Sequence, residues 1–155
     1  MCIRDRVTDA SPYSQTYAWR TAPADGECVL RWQWTAGGTI RNFTIIVRGG
    51  TAPGDNPKLE YRHNGDSLWL RRSGVLLASQ SRSFTTGTWY VTRVKWFGTT
   101  IQGRTWLDGT TEPTTWDTSV TDASAPASGN LILRVENGDD SVADTISVDY
   151  FTLIS

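Results

Sequence analysis

The sequence predicts an all-β fold, antiparallel strands packed as two sheets. Three observations carry that expectation. Among 155 residues there are 22 Thr and eight Trp, many Val and Ile, but only two Lys and one Met. Branched and aromatic side chains suit a pleated, half-buried surface. Short runs that alternate apolar and polar residues recur along the chain, set off by Gly, Pro, Asn and Asp. No stretch of ten or more residues combines a 3.6-residue apolar period with capping signals.

Nine strands are expected, over 27–35, 40–48, 57–63, 67–72, 75–82, 89–97, 100–107, 130–136 and 142–154. The alternation is clearest in three of them. In 89–97, Tyr90, Thr92, Val94 and Trp96 share one face, and Val91, Arg93, Lys95 and Phe97 the other. In 100–107, Ile101, Gly103, Thr105 and Leu107 oppose Gln102, Arg104 and Trp106. In 130–136, Leu131, Leu133 and Val135 oppose Ile132, Arg134 and Glu136. One face packs and the other meets water, as in antiparallel sheets. The connectors agree. His63-Asn64-Gly65-Asp66 is a hairpin turn with His63 as a turn residue, because Asn-Gly supplies the positive φ values such turns need. Arg72-Ser73-Gly74 and Phe97-Gly98-Thr99 are further tight turns. Segment 49–56 is a surface loop. Segment 108–129, with Pro113 and Pro126, is expected to cross from one sheet to the other.

The totals exclude several classes of partner. Fifteen basic residues face 16 acidic ones, a balance that asks for neither nucleic acid nor an anionic membrane. Thirteen of the basic residues are Arg. No apolar run approaches the roughly 18 residues of a membrane helix. Cys2 and Cys28 make neither a disulfide framework nor a metal motif. The head, residues 1–6, has no hydrophobic stretch behind it as a secretory signal would. It is set aside as a doubtful leader, and residues 7–155 are read as a single sandwich domain.

The C-terminal half carries a recognisable order: Trp89-Tyr90-Val91-Thr92-Arg93-Val94, the turn at Gly98, Ile101-Gln102-Gly103-Arg104-Thr105-Trp106-Leu107-Asp108-Gly109, Glu112-Pro113-Thr114-Thr115-Trp116, Asp122, Gly129 and a closing Val148-Asp149-Tyr150-Phe151. In this it resembles the concanavalin A-like, laminin-G-like jelly-roll modules of actinobacterial secreted proteins and of their phages' tail proteins. Over 27–82 only the rhythm of strands fits. The resemblance implies an antiparallel two-sheet jelly-roll β-sandwich in an extracellular or virion setting. Two positions depart from it. Tyr150 stands where relatives carry a second acidic residue. The aromatic-rich first strand that pairs beside the last one is not evident, with Tyr13, Tyr17 and Trp19 as its candidate remnant. If that strand is lacking, one sandwich edge is exposed. Modules of this kind often carry a structural Ca²⁺, for which Asp149 and Asp139 are the candidate ligands. The alternative is that both are ordinary loop carboxylates.

No motif for chemistry is present. A glycoside hydrolase needs two carboxylates roughly 5–10 Å apart, carried in hydrolases of this broad fold as Glu-x-Asp-x-x-Glu on one strand. Glu27, Glu60 and Glu136 instead each stand alone on their strands. Neither a Gly-x-Ser-x-Gly elbow nor a phosphate-cradling glycine loop occurs. The chain is therefore expected not to be an enzyme. What remains is a surface: Arg93, Lys95, Gln102, Arg104 and Trp106 opposite the apolar row, extended by Trp69 and Arg71. An indole stacks on the C–H face of a sugar, and Arg and Gln take its hydroxyls or acidic groups. The reading is a noncatalytic carbohydrate-binding or adhesion module of a larger extracellular or virion protein, taking a glycan, with acidic glycans favoured. The alternative is a structural phage tail or appendage domain, its face buried between copies in a homo-oligomeric fibre.

Overall fold

The structure, a computed structural model, describes residues 5–8, 15–36, 41–50, 58–137 and 145–154, and side chains over 21–35, 42–50, 58–136 and 146–154. Twelve strands follow in chain order: β1 Asp5–Thr8, β2 Gln15–Ala22, β3 Gly26–Ala36, β4 Arg41–Gly49, β5 Leu59–Asn64, β6 Ser67–Arg72, β7 Val75–Ser81, β8 Tyr90–Phe97, β9 Thr100–Leu107, β10 Thr118–Thr121, β11 Gly129–Asn137 and β12 Thr145–Ile154. They form two six-stranded antiparallel sheets. The first runs β1-β12-β3-β8-β9-β10 and the second β2-β11-β4-β5-β6-β7.

Nine of these strands match the nine expected from alternation. The tight turns are those the glycines announce: Gly65, Gly74 and Gly98 take φ of 44°, 90° and 51°. Three strands were not expected. β10 lies in the long segment after β9 and pairs back onto it, Val120 opposite Ile101. β2 takes in Tyr17 and Trp19 and pairs with β11. β1 pairs beside the last strand, Val7 opposite Ile146, so the place beside β12 is filled. It also takes in Asp5 and Arg6, residues set aside with the head. At four residues each, β1 and β10 are too short for a period-two signal.

Side-chain parity builds the core. Cys28, Leu30, Trp32 and Trp34 of β3 meet Phe43, Ile45 and Val47 of β4 and Leu68 and Leu70 of β6, all at 0 or 1 % exposure. Burial pushes the Cys28 thiol up to about 12. Gly103 lies on this inner row because a Cβ there would sit 2.1 Å from the Tyr61 ring. The expected parity of β8 holds from Thr92 to Phe97, and that of β9 from Ile101 to Thr105, whereas Val91, expected on the open face, is 5 % exposed.

Two expectations are corrected. His63 is not a turn residue. It is on β5, fully buried, with its ring stacked on Phe43 and 4.6 Å from Trp32. Alternation decides this, since His63 shares the inward parity of Leu59 and Tyr61. At the end of β9 exposure no longer follows the alternation. Leu107 is 47 % exposed, whereas Trp106, expected on the open face, is 8 % exposed. The following segment folds back over this end of the sheet. Asp108 N donates to Trp89 O, Trp116 lies 4.2 Å from the Arg104 guanidinium, and Asp117 Oδ2 accepts from Thr105 N.

Candidate functional site

The outer face of the first sheet is a closed electrostatic network. Arg93 is held between Glu27 and Glu112, at 2.7 Å from Glu112 Oε1. Arg104 pairs with the same Glu112 and stacks on Trp116. Against the burial that would raise it, Arg93 and Arg104 hold Glu112 below the usual carboxylate range. Gln102 Nε2 donates to Ser119 Oγ at 3.0 Å. Lys95 is exposed, 5.6 Å from the Phe97 ring. On this face Trp106 offers little open indole surface, at 8 % exposure, and both guanidiniums have carboxylate partners. Trp69 and Arg71 do not extend it. They lie on β6, in the opposite sheet, because β6 pairs with β5 and β7.

Asp149 Oδ2 accepts from Arg31 Nη1 at 3.0 Å. Arg31 also pairs with Asp108 at 2.8 Å and lies 3.9 Å from the Trp89 ring. The hydrogen bond to Asp108, above all, raises its guanidinium above the ordinary value. Asp139 lies outside the described residues. Among the described residues, no group of three or more His, Cys, Asp or Glu is placed to hold a metal ion.

The outer face of the second sheet is different, and strand register lays it out. Arg134 of β11, Thr44 of β4, Arg62 of β5 and Trp69 of β6 form one row across the strands. Ile46, Glu60 and Arg71 form the next, and Asn42, Asn64 and Ser67 flank the first on its other side. All face outward because their neighbours Phe43, Ile45, Tyr61, His63, Leu68 and Leu70 face the core. At Arg71 the register shifts, with Leu77 of β7 as the extra residue. Bulges of this kind re-aim the side chains beside them.

This face is polar yet deeply set. Thr44, Glu60, Arg62 and Arg134 are 0, 2, 9 and 9 % exposed. A cavity of about 230 Å³ opens there, lined by Lys58, Glu60, Arg62, Arg71, Ser73, Gly74 and Arg134. Glu136 pairs with both Arg62 and Arg134, and Lys58 Nζ lies 3.7 Å from Glu60 Oε1. Arg71 donates to Gly74 O at 2.5 Å, and its guanidinium carbon is 5.7 Å from the Trp69 ring. Burial, with Arg134 and Arg71 close by, lowers the Arg62 guanidinium from its ordinary value. Of the residues singled out from sequence, Trp69 and Arg71 belong to this site. Lys58, Glu60, Arg62 and Arg134 were missed. Their signal was the outward parity of β5 and β11, but only the pairing of β11, β4, β5 and β6 brings them together.

No protein-family model and no curated protein matches the sequence. Solved structures do. The carbohydrate-binding module CBM66 from Bacillus subtilis superposes with a TM-score of 0.70 at 13 % identity, over 94 % of this chain and 84 % of that one. The β-glucanase of Bacillus licheniformis gives 0.58 at 13 % identity, over 91 % and 68 %. Sheep galectin-11, solved in complex with glycerol, gives 0.56 at 11 % identity, over 93 % and 98 %. Likeness at this level of identity speaks to fold alone: the chain is a concanavalin A-like jelly-roll β-sandwich.

Proposed function

We propose that this domain is a noncatalytic carbohydrate-binding module and that the glycan lies on the outer face of the second sheet. The observation that carries the reading is the row Arg134–Thr44–Arg62–Trp69, bordered by Glu60 and Arg71 around a 230 Å³ cavity. Sugar recognition needs polar groups that are fixed in advance, so that little entropy is lost on binding. Strand pairing fixes these. Trp69 adds a partly exposed indole beside them. Two of the similar structures, a carbohydrate-binding module and a galectin, support carbohydrate as the ligand class on this fold.

The same geometry argues against bond cleavage. A glycosidase needs one carboxyl group that reaches the leaving oxygen and a second at the sugar ring. Glu60 is 2 % exposed, and Glu136 is taken up by two guanidiniums. The sequence's single histidine is sealed in the core. Affinity electrophoresis and calorimetry against a panel of neutral and acidic polysaccharides test the proposal. Saturable binding is expected, with no new reducing ends or unsaturated sugars and with weaker binding by Trp69→Ala. Release of shortened products, or no binding across the panel, overturns it.

A further inference from the structure

The cavity on the second sheet holds a guanidinium, that of Arg71, which no carboxylate among the described residues offsets. Ion pairs account for Lys58, Arg62 and Arg134, but Arg71 meets a backbone carbonyl, Gly74 O, and no carboxylate among the described residues. On the first sheet Arg93 and Arg104 share two carboxylates, Glu27 and Glu112, although Nε of Arg104 is left without an acceptor among the described residues there too.

Hydrogen bonding points the same way. Nε of Arg62 and Nε of Arg71 are buried and donate to nothing among the described residues. A buried N–H without an acceptor is costly, and native structures rarely keep one without a reason. Both lie on side chains that line the cavity, on adjacent strands one row apart. Resting on the glycan-binding reading above, we propose that this cavity takes one carboxylate-bearing sugar unit, a uronic acid, held by the guanidiniums of Arg62 and Arg71. A planar carboxylate matches the planar guanidinium fork, accepts two N–H groups at once and supplies the missing negative charge. A neutral hydroxyl supplies only the acceptor. The volume sets the scale: about 230 Å³ is below the roughly 300–1,000 Å³ typical of sites for drug-sized ligands. One ring enters, and the rest of the glycan runs along the row of Trp69.

Calorimetry with three oligouronates of different stereochemistry, oligogalacturonate, oligomannuronate and a hyaluronan fragment, tests this. Each is paired with its carboxyl-reduced neutral counterpart, and a sulfated galactan fragment of equal length is the further arm. At least one oligouronate is expected to bind about tenfold or more tighter than its reduced form, a difference that weakens with salt. Arg71→Ala and Arg71→Lys lose that preference, Lys because a point charge cannot reproduce the fork. Arg71 is half-buried, so tryptophan fluorescence checks that the variants fold. The comparison on the unaltered protein stands without them. Equal binding of charged and reduced forms, or tighter binding of the sulfated fragment, overturns the uronate assignment and leaves glycan binding intact. Failure of every glycan to bind overturns both.

Discussion

His63 and Thr105 tie the two sheets together through the middle of the sandwich. Nε2 of His63, on β5, lies 3.1 Å from the hydroxyl of Thr105, on β9. Thr92 of β8 joins them, 3.1 Å from His63 Nε2 and 2.9 Å from the Thr105 hydroxyl. One assignment satisfies every group. Trp32 Nε1 donates to Thr92, Thr92 to Thr105, Thr105 to His63 Nε2, and His63 Nδ1 to Phe43 O. The imidazole is therefore neutral in the folded protein, and burial pushes its pKa down to about 3.

This fixes a pH dependence. The folded value lies below the ordinary 6.5, so the unfolded chain takes up the proton first. The histidine's share of stability is present above about pH 6.5 and is lost as pH falls toward about 3. About 2 kcal/mol goes between pH 7.5 and 5, at about 1.4 kcal/mol per unit. Denaturant titrations across that range check it. His63→Gln flattens the slope whatever its own stability.

At Gly103 of β9 the ring of Tyr61, from the second sheet, occupies the space a side chain would take. A methyl group at Gly103 would lie 2.1 Å from Cε2 of Tyr61. Gly103→Ala is expected to cost about 1–3 kcal/mol as overpacking. The urea midpoint is the readout.

Arg48, next to last in β4, closes one end of the sandwich. At 2 % exposure, its guanidinium donates to Ala24 O at 3.0 Å, Pro126 O at 2.9 Å and Gly98 O at 2.5 Å. Truncation strands three carbonyls, each worth about 1–3 kcal/mol when buried and unpaired. Arg48→Ala is expected to lower stability by about 3 kcal/mol or more. Thermal unfolding followed by tryptophan fluorescence measures the loss.

The two outer faces are expected to behave differently. Arg104 and Gln102 serve Glu112, Trp116 and Ser119. Arg104→Ala and Gln102→Ala should leave glycan affinity unchanged. A loss there would move the binding face to the first sheet.

The architecture was largely legible because period-two alternation is a local signal, and nine strands announced themselves by it. What failed was whatever depended on a distant partner. β1 and β10 are strands because β12 and β9 offer them edges. His63 looked like part of a turn because Asn-Gly follows it, although its parity already placed it inside. Trp106 had the outward parity expected of it, yet the chain returning through Glu112 and Trp116 closes over that end of the sheet. Trp69 and Arg71 were expected to extend the β8–β9 face but lie on the opposite sheet. Adding Arg62, Glu60 and Arg134 to them takes the pairing of four strands, which no single segment encodes.

The central claim is that glycan meets the second sheet. Titrating ¹⁵N-labelled protein with an oligouronate and following the amide resonances tests it most directly. Shifts are expected to cluster on Thr44, Arg62, Trp69, Arg71 and Arg134, with β8 and β9 still. Shifts confined to β8 and β9, or none at saturating ligand, would contradict it.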